Sequence, residues 1–233
     1  MFVRNESFRS FLQLYPIVSA IVAIHLALYF LTFLTPELMQ FGVGANYLVD
    51  AGEYWRLVTP IFFHAGFGHM LFNSFSLVLF GPELERRLGT WKFLLAYVGT
   101  GVMANMATYL LEPPHYTHLG SSGAIFGLFG IYLYLVFYRK DLIDQANAQL
   151  VLTIVVIGLL MTFFRGNVNV SAHLFGLASG FAISPLLFGA KRYRPSYSAG
   201  GSFNWRSRKK IGFQELLWIL LILLVLIGMV ARF

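Results

Sequence analysis

Cysteine is absent from the 233 residues. That excludes disulfides, thiol catalysis and thiolate metal ligands, and removes any cysteine-based sign of the redox compartment. Charge is nearly as scarce. Asp, Glu, Lys and Arg together make up 12% of the chain, about half of the roughly 25% usual in soluble domains. Hydrophobic residues reach 58% and the mean hydropathy is +0.69, a composition that cannot coat a soluble globule and predicts an all-α polytopic membrane protein. Acidic residues are the rarer charged kind, 10 against 17 basic, for a net charge of +7. In a soluble chain that balance suggests nucleic acid; here the basic residues sit in loops between apolar runs, and no nucleic-acid partner is expected. Internal repeats and matched broken helices, which mark many transporters, are also lacking.

What is present is a series of apolar runs of about 20 residues, the length that crosses a bilayer. They fall at roughly 14–35, 69–86, 91–111, 121–138, 149–164, 170–189 and 213–231. His69, Asn73, Ser74 and Ser76 interrupt the second, and the fifth is short. The first is too long for a cleaved signal and has no small-residue cleavage site. With the N-terminus inside, 14 of the 17 Lys and Arg lie in inner segments and only Arg56, Arg165 and Arg232 in outer ones. The positive-inside rule then sets the N-terminus in and the C-terminus out, as expected of a multi-pass protein of a bacterial cytoplasmic membrane. The stretch KRYRPSYSAGGSFNWRSRKK reads as a basic cytoplasmic linker over 191–211, between a core over 1–190 and an appended helix over 212–233. A topology signal accounts for its charge better than specific lipid binding does.

Polar side chains inside a membrane are costly and mark function. Spans two, four and six all run from outside to inside, and each opens on such groups. His69 and Asn73 lie four residues apart on one face of span two, Ser122 is in the first turn of span four, and His173 is near the outer end of span six. At about 1.5 Å per residue, all four fall in the outer third of the bilayer. Two G-x-x-x-G pairs, Gly123/Gly127 and Gly176/Gly180, allow close backbone approach and predict that span four packs on span six. That contact would carry Ser122 Oγ to about 2.6–3.2 Å from His173. A Ser–His dyad is the simplest chemistry available, because a serine hydroxyl is a weak nucleophile until a neighbouring imidazole accepts its proton. No acidic residue lies at the depth needed to orient the histidine, so a triad is not expected. His69, Asn73 and the Ser122 backbone N–H are candidate donors to an oxyanion. Such chemistry uses no cofactor, and the H-x-x-H of His115 and His118 lacks a third ligand for a metal.

In chain order the motifs are W-R at Trp55–Arg56, H-x-x-x-x-H-x-x-x-N at His64, His69 and Asn73, E-R-R-L-G at Glu85–Gly89, G-S-S-G at Gly120–Gly123 and H-L-F-G-L-A-S-G at His173–Gly180. This set resembles the rhomboid family of intramembrane serine proteases, over most of the six-helix core. The resemblance implies a six-helix rhomboid core plus one appended C-terminal transmembrane helix, with a water-filled cavity open to the outside. It also implies Ser122 as nucleophile, His173 as base, and His69 with Asn73 at the oxyanion. Expected substrates are single-span membrane proteins with a helix-destabilising segment. Phe126 departs from the family, which often has tyrosine there stacked on the catalytic histidine; the ring face is kept and the hydroxyl lost. The alternative is a non-catalytic rhomboid-like factor that binds membrane proteins, which usually lacks the serine or the histidine. A transporter or channel would need polar residues continuing inward, and span four beyond Ser122 is almost wholly apolar.

The remaining polar residues have structural readings. His25 is expected as a buried, hydrogen-bonded histidine, Ser121 as a helix-start serine, and Arg56 as an anchor of the first outer loop. Glu85 with Arg86 and Arg87 reads as an inner-face ion cluster. His64 either lines the cavity or closes the loop. The loop FFRGNVNVS, 163–171, is expected to cap His173, with Phe163 and Phe164 as apolar shields.

Overall fold

A computed structural model describes residues 2, 5–164 and 166–189; the linker over 191–211 and the helix over 212–233 lie outside them. The chain forms α1 (Phe8–Leu14), α2 (Pro16–Leu34), α3 (Glu37–Gly42), β1 (Gly44–Ala45), α4 (Asn46–Asp50), α5 (Phe67–Leu88), α6 (Thr90–Leu111), β2 (Thr117–His118), α7 (Ser122–Tyr138), α8 (Gln145–Phe164) and α9 (Val170–Phe188), with two short 3₁₀ turns between α4 and α5. It is an all-α polytopic membrane protein. Helices α2, α6, α8 and α9 are each long and apolar enough to cross a bilayer. Helix α5 has the length, at 22 residues, but a split character. Asn73, Ser74, Glu83 and Glu85 are buried against the protein, while Leu71, Phe72 and Phe75 are exposed on its outer side. The sequence pattern did not anticipate one detail, a ribbon in the outer loops where β1 pairs antiparallel with β2, Gly44 opposite His118.

The fifth span is not short. Helix α8 has 20 residues, and polar Gln145, Asn147 and Gln149 in its first turns conceal its start from a search for apolar runs. Asp144 begins it: Asn147 donates its amide to Asp144 Oδ1 at 2.9 Å, and the Ala148 amide bonds the Asp144 carbonyl, also at 2.9 Å. A carboxylate accepting such an amide satisfies donors that have no partner within the helix.

Helix α7 is central. Every residue from Gly123 to Val136 is buried, as expected of a helix that is apolar all round. It meets α9 through glycines. A Cβ on Gly176 would overlap the Gly123 carbonyl, one on Gly180 the Gly127 carbonyl, and one on Gly130 the Leu177 carbonyl. On its other side α7 meets α6, where a Cβ on Gly123 would lie 2.7 Å from Ala104 Cβ and one on Gly127 would overlap Thr100. Span four therefore packs on span six through the predicted small-residue faces. Helix α8 joins by a stripe of buried residues, Val151, Val155, Leu159 and Thr162. Their three- and four-residue spacing keeps them on one face.

The inner-face cluster differs from its expected form. Glu85 is not part of it: its carboxylate accepts the Ile17 amide at 2.8 Å and the Val18 amide at 2.9 Å, closing the start of α2. The carboxylate that pairs with the arginines is Glu83, 2.8 Å from Arg86 and 2.6 Å from Arg87. Two residues make the difference because Glu83 and Glu85 stand about 200° apart around a helix. In the outer loop, buried Arg56 donates to the carbonyls of Gln40 (2.7 Å), Phe41 (3.3 Å) and Val43 (2.6 Å) and to Glu53 (2.6 Å). Asn105 Nδ2 holds the Leu57 carbonyl at 2.9 Å, and Asn46 Nδ2 holds those of Glu112 and Pro113 at 3.1 Å. The loop is thus fastened to α6.

The α7–α9 seam yields a stability prediction. Overpacking typically costs about 1–3 kcal/mol, and at Gly180 the obstacle is a main-chain carbonyl that cannot rotate away. Gly180→Ala should lower the thermal midpoint in detergent markedly. Gly99→Ala, on α6 with nothing within 4 Å of the added carbon, should leave it unchanged or raise it, because alanine is the better helix former by about 1 kcal/mol.

Candidate active site

Three helices start at the same end of the protein with polar groups in their first two turns. His69 is the third residue of α5 with Asn73 one turn on, Ser122 is the first residue of α7, and His173 is the fourth of α9. All four line one cavity of about 810 Å³, together with His118 and the loop residues Gly166, Asn167, Val168 and Asn169. The shared depth read from the sequence is thus a shared space. Helix α7 has 17 residues, about 25 Å, less than the roughly 30 Å of a hydrocarbon core. A helix this short does not span the full core by itself. Ser122, at its start, keeps partial access, while the residues that follow it are buried.

The turn before Ser122 depends on Gly120. Its φ is +119°, and a Cβ there would lie 2.5 Å from His69 Cε1 and 2.6 Å from Nε2. Glycine is therefore required both for the backbone and for the imidazole beside it. The Gly120 amide bonds the Pro60 carbonyl at 2.8 Å, which ties the turn to the first outer loop. Asn73 Nδ2 is 3.6 Å from the same virtual carbon. That Nδ2 is buried and has no partner. A donor left unpaired in the interior costs about 1–3 kcal/mol, and this one belongs to a residue that lines the cavity.

Ser121 sits at the N-cap of α7, fully buried, with Oγ 3.5 Å from His64 Nε2. His64 is buried behind the cavity wall rather than lining it, which decides between its two readings. Its ring packs edge-on between His25 (centroids 4.6 Å) and His69 (5.2 Å). Burial, with His25 and His69 adding to it, pushes His64 down to about 2, so the ring is neutral. His25 is buried as expected, with Nδ1 3.2 Å from Ser74 Oγ. In the outer loop, burial lowers His118 to about 4 against the pull of Glu112.

His173 is held from several sides. Asn169 caps α9 by accepting the Ala172 amide at 2.9 Å and reaches Thr108 Oγ1 at 2.9 Å. Ser171 donates to Glu112 at 2.6 Å. The imidazole stacks on Phe126, centroids 4.1 Å apart and planes 14° apart, so the phenylalanine keeps the ring contact. His173 Nδ1 lies 2.7 Å from Thr162 Oγ1 of α8. The sequence reading missed Thr162; its only signal was a hydroxyl in an apolar span, eleven residues before the histidine. No hydrogen bond joins Ser122 to His173 among the described residues, against the expected separation of about 2.6–3.2 Å. Phe126 and Thr162 hold the ring, while Ser122 stands at the tip of α7, and such contacts commonly close only when substrate is bound.

The loop over 163–171 differs from the expected apolar cap. Phe163 and Phe164 complete α8 instead of belonging to the loop, Phe164 is 80% exposed, and neither lines the cavity. The part of this loop that lines the cavity is Gly166–Asn169, with Asn167 at a φ of +60°.

Known proteins share this arrangement of sequence. The family model for the Rhomboid domain matches residues 51–190. A protein of Bacillus subtilis (strain 168) named "Putative rhomboid protease YdcA" is 46% identical over 198 residues, 83% of this chain and 100% of its own length. "Rhomboid protease GluP" of the same organism is 36% identical over 147 residues, 63% of this chain and 29% of its own length. "Rhomboid-like protease 1" of Toxoplasma gondii is 33% identical over 175 residues, 72% of this chain and 58% of its own length. The match spans α5 to α9 and includes every residue that lines the cavity from these helices, and on that ground the chain belongs to the rhomboid family.

Proposed function

We propose that this protein is an intramembrane serine endopeptidase, hydrolysing peptide bonds in or near the transmembrane segment of single-span membrane proteins. The observation that carries the reading is the unpartnered, buried Asn73 amide on the same cavity as Ser122 and His173. A hydroxyl, an imidazole and a waiting N–H donor are what acyl transfer needs. The names of the relatives, as proteases, agree with it.

In this mechanism Ser122 Oγ attacks the scissile carbonyl carbon while its proton passes to His173. The carbonyl oxygen gains negative charge and is met by Asn73 Nδ2, by His69 and by the Ser122 amide. His173 then gives the proton to the leaving amine, the C–N bond breaks, and an acyl-serine remains. Water entering through the cavity, deprotonated by His173, releases the new carboxyl terminus and restores Ser122. The cavity supplies the water that a bilayer interior lacks. The polar loop at Gly166–Asn169 and the partial access of Ser122 suit that supply.

The distribution of basic residues favours a bacterial cytoplasmic membrane with the N-terminus inside and the C-terminus outside, and the Bacillus subtilis relatives agree with a bacterial source. A non-catalytic rhomboid-like factor is the alternative, and the presence of both Ser122 and His173 weighs against it.

The test is cleavage of a model single-span substrate in proteoliposomes. Ser122→Ala and His173→Ala should each abolish cleavage with insertion and thermal midpoint intact, and a fluorophosphonate probe should label the wild type but not Ser122→Ala. Wild-type cleavage by Ser122→Ala would refute the assignment. A second measurement isolates the oxyanion: Asn73→Ala should reduce kcat by roughly 10²–10³, the usual effect of losing one such donor, with KM little changed. An unchanged kcat would remove Asn73 from the site.

A further inference from the structure

We infer that Thr162 is the positioning residue of His173: its hydroxyl accepts a hydrogen bond from Nδ1–H and so fixes the tautomer whose Nε2 carries the lone pair a general base needs. The inference rests on the Ser122–His173 reading above. It replaces the expectation of an unsupported dyad with a base that has a neutral partner on a separate helix.

The argument follows the protons. A threonine hydroxyl has one proton and two lone pairs. Thr162 Oγ1 lies 2.7 Å from the Gly158 carbonyl oxygen and 2.7 Å from His173 Nδ1. The carbonyl has no proton to give, so the hydroxyl proton lies on the Gly158 contact. The Nδ1 contact is attractive only if the imidazole is the donor. The opposite tautomer would turn the hydroxyl proton to Nδ1 and leave two oxygen lone pairs facing each other at 2.7 Å on the Gly158 side. With Nδ1 protonated, the neutral ring has its lone pair at Nε2. Among the described residues no carboxylate bonds this imidazole.

The placement is built into α8. Gly158 and Thr162 are four residues apart on its buried face. A Cβ on Gly158 would lie 3.2 Å from Phe126 Cζ, so the missing side chain admits the ring that stacks on His173. One turn later Thr162, 2% exposed, meets the edge of the same imidazole. One face of α8 thus supports the aromatic stack and supplies the hydrogen bond. A hydroxyl also suits the medium. A carboxylate here would put a second ionisable group into a membrane interior, where charge is expensive, whereas a hydroxyl fixes the tautomer with no charge.

The test uses the full chain in proteoliposomes with a model single-span substrate. Thr162→Val keeps the branched shape and removes the acceptor, and kcat should fall about tenfold, equivalent to about 1.4 kcal/mol, with KM unchanged. Thr162→Ser restores an acceptor and should recover most of kcat. The tautomer is read separately from ¹⁵N shifts of labelled His173 in the Ser122→Ala background. A protonated Nδ1 is expected with Thr162 in place, and a mixture of tautomers with Thr162→Val. Wild-type kcat in Thr162→Val alongside an inactive Ser122→Ala overturns this inference and leaves the protease reading standing. Equal losses in Thr162→Val and Thr162→Ser overturn it too, because packing and not the hydroxyl would then matter. A protonated Nε2 with Thr162 in place also overturns it. An active Ser122→Ala overturns both readings.

Discussion

Two carbonyls of α7, those of Gly123 and Gly127, rest directly on Gly176 and Gly180 of α9, and the other features of the site depend on that contact. Between membrane helices there is little hydrophobic gain, since lipid is as apolar as a side chain; association comes from close packing, and glycine brings backbones closest. The same two-turn stretch of α7 begins at Ser122, and the same stretch of α9 follows His173. The interaction that fixes the helix pair therefore also fixes the separation of the two groups. A side chain at Gly176 or Gly180 would meet a main-chain carbonyl and push the two helices apart.

Around that seam the remaining helices have different tasks. Helix α6 fills the opposite side of α7 with Thr100 and Ala104 and ties down the loops at both ends of the cavity through Asn105 and Thr108. Helix α5 brings His69 and Asn73 to the turn at Gly120. Helix α8 has a narrow buried face, and two residues of it, Gly158 and Thr162, meet Phe126 and His173. The site thus draws on α5, α7, α8 and α9 and on loop segments, those of Val43, of Ala65, of 116–119 and of 166–169.

Much of this was legible in the sequence, for a physical reason. Apolar length and basic asymmetry record the bilayer directly, so most spans are visible as runs. Polar residues at a shared depth, with paired small residues beside them, record which helices meet. Other features were hidden, among them the ribbon of β1 and β2. The start of α8 carries amides and a carboxylate that look like loop until Asp144 is seen capping it. The exchange of roles between Glu83 and Glu85 depends on which way each points around α5. The Thr162 contact with His173 is a tertiary contact between helices, which no local pattern encodes. Of the loop expected as a cap, Gly166–Asn169 line the cavity, whereas Phe163 and Phe164 continue the helix instead of leaving it.

The seal that Glu85 makes on the first amides of α2 joins residues 67 and 68 positions apart in the chain. Ribosomes make proteins from the N-terminus, so α2 exists in full before its acceptor has been synthesised. The first amides of a helix have no partner within it, so without Glu85 the Ile17 and Val18 amides would need water or lipid headgroups to satisfy them. In the folded chain Glu85, in the last turns of α5, takes both of those amides. The bond thus makes the start of α2 depend on a residue in the last turns of α5, so that the first two long helices are joined through their polar ends as well as their apolar faces.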